Sequence, residues 1–119
     1  MSTSLVKIKS LNVIYTSPQD EPGPAAVDAI AAGVPLQDVN LAGADLAGLD
    51  LTGGDFQRAD LTGADLSGAN LTDCNFQFAD LTGADLTDAT LTRADFRYAT
   101  LNGVATDGTD FSTATLQGA

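Results

Sequence analysis

The run Ala59-Asp60-Leu61-Thr62-Gly63-Ala64-Asp65-Leu66-Ser67-Gly68-Ala69-Asn70-Leu71-Thr72-Asp73 repeats one small pattern every five residues. A small residue comes first, Asp or Asn second, Leu third, a hydroxyl fourth, and Gly or Asp fifth. Read outward, the third column runs Leu36, Leu41, Leu46, Leu51, Phe56, Leu61, Leu66, Leu71, Phe76, Leu81, Leu86, Leu91, Phe96 and Leu101. It breaks at Thr106 and resumes at Phe111 and Leu116. A period of five fits neither a helix at about 3.6 nor a strand at about 2. A chain that turns once every five residues puts each Leu or Phe on one side of the backbone. Four such sides close a square coil, and coils stack at the β spacing of about 4.8 Å.

Four sides per coil are written into the columns. Phe56, Phe76 and Phe96 are 20 residues apart and stack on a single side. That side also carries Gln37, Gln57, Gln77 and Gln117, interrupted by Arg97, and Arg58, Phe78 and Tyr98 at its fifth position. A neighbouring side holds Gly43, Gly63, Gly83 and Gly103, and the next side holds Gly48, Gly68 and Gly108 with Asp88 between them. Glycine as the second central residue of a turn permits φ > 0, which predicts type II turns on the glycine-rich sides. The side bearing Arg58, Phe78 and Tyr98 is expected to use another turn type.

The quoted run resembles the A-[D/N]-L-x-x signature of pentapeptide-repeat proteins, and the pattern extends over residues 34–119. The resemblance implies an all-β solenoid: a right-handed quadrilateral parallel β-helix, here of about four coils. Period alone carries no handedness. The family hosts many roles, so the resemblance says little about function.

Residues 1–24 read as a strand over 5–15 and a proline-rich linker over 16–24, where three prolines and a glycine argue against regular structure. Residues 25–33 read as a short helix that caps the solenoid, with Pro24 in its first turn and Gly33 at its stop.

Composition excludes several function classes. The 119 residues include 16 acidic and 5 basic ones, a net charge of −11. Direct nucleic-acid binding needs the opposite sign. Histidine is absent, so no His base or His metal ligand exists. The lone cysteine, Cys74, occupies a corner position and reads as a small buried hydrophobe. No catalytic residue, cofactor or metal site is expected, and the reading is non-enzymatic. The N-terminus lacks the apolar core of a signal peptide and no run is long enough to span a membrane, so the expectation is a cytoplasmic protein without membrane contact.

Three surfaces are candidates for function. The acidic ladder comprises Asp45, Asp65 and Asp85 on one side and Asp60 and Asp80 on another. It reads as turn-capping carboxylates, as an imitation of nucleic-acid phosphates, or as a calcium row. Some family members that resemble this pattern mimic duplex DNA and bind type II topoisomerases such as DNA gyrase. Four coils span roughly 20 Å, about half a turn of duplex, so mimicry needs an end-to-end dimer. The second surface is the column Arg58, Phe78 and Tyr98, with Arg97 beside it. It reads as a patch for a protein partner of unknown identity or as a cross-coil stack with a cation–π contact. The third is the C-terminal end, where the sequence stops still in repeat. Phe111, Ala114 and Leu116 restore inward apolar positions there, and the expectation is a homodimer closed through that face.

Overall fold

The computed structural model describes residues 3–6, 13–17 and 22–119. Its repeat region climbs one parallel coil every 20 residues. Bridges join Asn40 to Asp60 to Asp80, and Asp45 to Asp65 to Asp85. The same step joins Asp50 to Asn70 and Asp55 to Asn75. The second residue of each repeat therefore carries the ladder. The N–H of Leu41 donates to the Asp60 carbonyl at 2.8 Å, and the Asp60 N–H donates back to Val39 at 2.9 Å. The coils thereby satisfy the peptide groups that a narrow solenoid would otherwise bury unpaired.

The Leu and Phe columns fill the interior, buried from Leu36 to Phe96, and Ala or Cys fills most corners. Phe56 stacks on Phe76 with ring centroids 5.2 Å apart, and Phe76 on Phe96 at 4.9 Å. Each such side chain contributes about 1.5–3 kcal/mol of transfer free energy. Two polar corners each find an equivalent acceptor, the carbonyl 23 residues back. Cys74 Sγ donates to the Leu51 carbonyl at 3.0 Å, and Thr109 Oγ1 to the Leu86 carbonyl at 2.5 Å.

Each side closes with a bond from the corner N–H back to the Leu or Phe carbonyl, as from Ala64 to Leu61 at 3.0 Å. The fifth residue has positive φ: 67° at Gly63. A different turn was expected on the side of Arg58, Phe78 and Tyr98, and the structure overturns this. Their φ angles are 58°, 61° and 62°, and Ala59, Ala79 and Ala99 make the same closing bonds. The ladder explains it. The fifth N–H must reach the next coil, as Arg58 reaches the Gln77 carbonyl at 2.9 Å. That fixes the peptide orientation whatever the side chain. An L-residue accepts the left-handed cost of about 1–2 kcal/mol because leaving the N–H unpaired costs about as much.

At the N-terminal end, β1 (Thr3–Val6) pairs antiparallel with β2 (Val13–Ser17), and α1 spans Pro22–Ala31. The single strand expected over 5–15 is thus two; residues 7–12 lie outside the described residues. Part of the expected linker is regular: Thr16 and Ser17 belong to β2, and Pro22 to Pro24 open the helix. Prolines fit a first turn because its N–H groups have no intrahelical acceptor. The chain leaves the helix through Gly33, φ 75°, with Gly33 N–H on Ile30 and Val34 N–H on Ala29, the Schellman pattern. Ala25, Ala26 and Ala29 join the core, and Ile30 and Val34 pack against it. Beneath the helix, Gly54 replaces the corner Ala. A Cβ there would sit 2.4 Å from the Phe56 ring and 3.1 Å from Ile30 Cδ1.

The last coil departs from the repeat on one side. Phe96 and Tyr98 keep their ladder bonds, to Thr115 and Gln117. Arg93 N–H instead meets Thr113 Oγ1 at 3.1 Å, where the repeat would offer the Ser112 carbonyl. Phe111 leans across, its ring tilted 55° and 6.3 Å from Phe96. The end of the Phe stack is thereby partly covered by the chain's own ring.

Candidate functional site

The column Asp38, Arg58, Phe78, Tyr98 and Gly118 forms one outer corner. Arg58 Nε donates to Asp38 Oδ1 at 3.0 Å, and Nη2 donates to Gln37 Oε1 at 3.2 Å. Its guanidinium is directed to the preceding coil, away from the rings that follow, so the expected cation–π stack does not describe it. Phe78 and Tyr98 stack at 5.1 Å with 15° between planes. They remain 58% and 50% exposed. A Cβ at Gly118 would stand 2.5 Å from Tyr98 Cδ1, so the Tyr98 ring lies against that glycine. Arg97 sits beside the column with its guanidinium on Asp95, at 3.0 Å through Nε and 2.8 Å through Nη2. The pairing holds the Asp95 carboxyl below its usual range.

Residues other than glycine adopt positive φ at seven described positions: Asp38, Arg58, Asp73, Phe78, Asp88, Arg93 and Tyr98. They are not scattered. Asp38 pairs with Arg58, Asp73 with Arg93 and Phe78 with Tyr98, each across one coil. Asp88 lies over Gly108, whose added Cβ would meet its Oδ1. A side chain takes the left-handed slot where a neighbour one coil away gives it a contact, which offsets the strain. Sequence reading missed Asp38, Asp73 and Arg93. Their signal was available: opposite charges in the fifth position, 20 residues apart.

The acidic residues fall into the expected columns, with Asp45, Asp65 and Asp85 in one and Asp60 and Asp80 in another. Each directs Oδ1 at the amide two residues on. The distances are 3.2 Å from Ala47 to Asp45, 3.0 Å from Thr62 to Asp60, 3.0 Å from Ser67 to Asp65, 3.0 Å from Thr82 to Asp80 and 2.9 Å from Thr87 to Asp85. Hydroxyls join them, as Thr62 Oγ1 on Asp60 at 2.6 Å. These are Asx turns, the turn-capping role. Hydrogen bonds from Thr82 and Thr87 hold the Asp80 and Asp85 carboxyls below their usual range and keep them charged. Among the described residues no three Cys, Asp or Glu side chains converge where a metal ion would sit.

At the C-terminal face, Phe111 and Ala114 are half-buried and Leu116 is 40% exposed. At the other end a groove of about 260 Å³ is lined by Ile30, Gly33, Val34, Pro35, Gly53, Gly54 and Asp55. The Asp55 carboxylate there is already bonded to Gln37 and Gln57. Burial pushes the Cys74 thiol up to about 12, far from a reactive thiolate. No described helix is long and apolar enough to cross a membrane.

The family model for pentapeptide repeats matches residues 35–73 and 69–105, in eight copies. No curated protein matches significantly. Among solved structures, the chain is similar to a pentapeptide repeat protein from the thylakoid lumen of Arabidopsis thaliana, at 35% identity and a TM-score of 0.56, over 69% of this chain. It spans 59% of that protein's length. A pentapeptide repeat protein from Nostoc PCC 7120 shares 35% identity over 68% of this chain and 72% of its own, with a TM-score of 0.42. HetL, a protein of the same cyanobacterium involved in heterocyst differentiation regulation, shares 32% identity over 69% of this chain and 40% of its own, with a TM-score of 0.39.

Proposed function

The chain belongs to the pentapeptide-repeat family, whose fold is a right-handed quadrilateral β-helix, and from that premise we propose that it is a non-catalytic interaction module. It would present the Phe78–Tyr98 ridge to a protein partner and pair with a second copy through its C-terminal coil.

One observation carries both surfaces. Among the described residues the exposed large apolar side chains are Phe78, Tyr98 and Leu116. Phe78 and Tyr98 form the ridge, and Leu116 continues the Phe column at the C-terminal face. Exposed aromatics on an otherwise polar surface favour protein contact. A non-catalytic role accords with a sequence lacking histidine, a thiol held protonated by burial, and carboxylates engaged in turns.

Light scattering tests the self-association. Twice the monomer mass is expected for the intact chain, and monomers for Leu116→Lys. A monomeric wild type at micromolar concentration removes the dimer. For the ridge, replacing Phe78 should abolish partner capture while the far-ultraviolet spectrum is unchanged; undiminished capture removes the ridge.

A second reading rests on the stacked acidic columns. Their carboxylates repeat at the coil spacing, as a duplex repeats its phosphates, which favours a DNA-mimicking regulator or protector of a type II topoisomerase. Inhibition or protection of DNA gyrase at stoichiometric levels in a supercoiling assay is its test. No effect at a large excess rejects it.

A further inference from the structure

We propose that the partner segment received by the Phe78–Tyr98 ridge is cationic, a stretch with arginine or lysine beside apolar side chains; this rests on reading the ridge as a partner surface. The first argument is what the ridge lacks. Each arginine already faces a carboxylate: Arg58 on Asp38, Arg93 on Asp73 and Arg97 on Asp95. With a net charge of −11, the molecule repels an acidic segment and has no uncommitted guanidinium to greet one.

The second argument is what stands next to the ridge. Asp80 follows Phe78 by two residues, just past the buried corner Ala79, and bridges to Asp60 in the same outward row. Each of these carboxylates uses Oδ1 on its own turn, and among the described residues nothing bonds to Oδ2. Beyond them come Thr62 and Thr82, whose hydroxyls are turned onto the same carboxylates, and then Gly63 and Gly83, without side chains, at the far corner. The rings therefore form a wall along one edge of a flat acidic shelf. An extended segment on that shelf would lay apolar groups against the ring edges and basic groups over the carboxylates.

The third argument is pre-organisation. Both rings are held before any partner arrives, Phe78 against Tyr98 and Tyr98 against Gly118. A rigid ridge loses little side-chain entropy on contact.

The experiment uses three labelled heptapeptides read by fluorescence anisotropy: alternating arginine and leucine, and its counterparts with glutamate or serine for arginine. The arginine peptide should bind best. Phe78→Gly should weaken it about tenfold or more, as for an interface anchor, and Asp80→Asn should weaken it several-fold. Asp65→Asn, on another side of the coil, should leave it unchanged. Phe78-dependent binding that is as strong for the serine or glutamate peptide overturns the cationic assignment and leaves the ridge standing. Binding of the arginine peptide that falls as much with Asp65→Asn as with Asp80→Asn, and not at all with Phe78→Gly, is diffuse attraction and overturns both. A wild-type chain that takes up none of the three also overturns the inference.

Discussion

Arg93 grips Asp73 across one coil, with Nε 2.7 Å from Oδ1 and Nη2 3.1 Å from Oδ2. The two residues are 20 apart in sequence and share the left-handed fifth position, with φ of 57° and 60°. The pair staples adjacent coils on the outside, as Arg58 and Asp38 do one corner away.

Because the staple is solvent-exposed, it should matter modestly and fade with salt. Arg93→Gln and Asp73→Asn should each lower the urea midpoint slightly at low ionic strength. The double variant should lose less than the two single losses combined. In high salt the three should converge on the wild type. Losses that persist undiminished in high salt would mean that the contact acts through packing rather than charge.

Phe76 lies between Phe56 and Phe96 with no exposed surface. Phe76→Ala leaves a cavity that two flanking rings cannot close, at an expected cost of about 3–5 kcal/mol. Equilibrium chemical denaturation reads it. A cost under about 1 kcal/mol would contradict the stacked register.

Phe78 holds φ at 61° with an ordinary side chain. Glycine there removes the strain along with the ring, whereas serine removes the ring and keeps the strain. Phe78→Gly should therefore be more stable than Phe78→Ser by about 1 kcal/mol. Urea midpoints of the two variants decide it; a serine variant that equals or exceeds the glycine variant refutes the backbone argument.

Acid should weaken the solenoid. Thr52, Thr82, Thr87 and Ser112 donate hydrogen bonds to Asp50, Asp80, Asp85 and Asp110, and arginines face Asp73 and Asp95; all six carboxyls are held below their ordinary value of 3.8. A carboxyl depressed by folding stabilises the fold above its unfolded pKa, near 3.9, and loses that contribution as pH falls through its folded pKa. Repulsion within the −11 charge eases over the same range and opposes the loss, but salt screens it. In high salt the urea midpoint should stay flat from neutral pH to about pH 5 and fall below about pH 4. A midpoint that climbs through that range would show that the turn bonds contribute less than the repulsion.

The sequence alone determined the coil. A five-residue period with Phe at every fourth repeat admits one inward column and four sides, because a slip by one residue turns every Leu outward. The acidic rows and the ridge were legible for the same reason: residues 20 apart must share a column. Only the tertiary structure decided what those columns do at their tips and ends. The guanidinium of Arg58 had two neighbours within reach, and the carboxylate of Asp38 won it over the rings. The turn at Phe78 followed the hydrogen-bonding demand of the next coil, against the preference of its side chain. Pro22, read as part of a linker, begins a helix one turn ahead of the expected start because a first turn needs no amide donor, and the Ile30 side chain of that helix reaches down to Gly54. Phe111 left its column to lean on Phe96. Period specifies a site where each residue has the same neighbours above and below; at corners and ends those neighbours differ, and the local contacts choose.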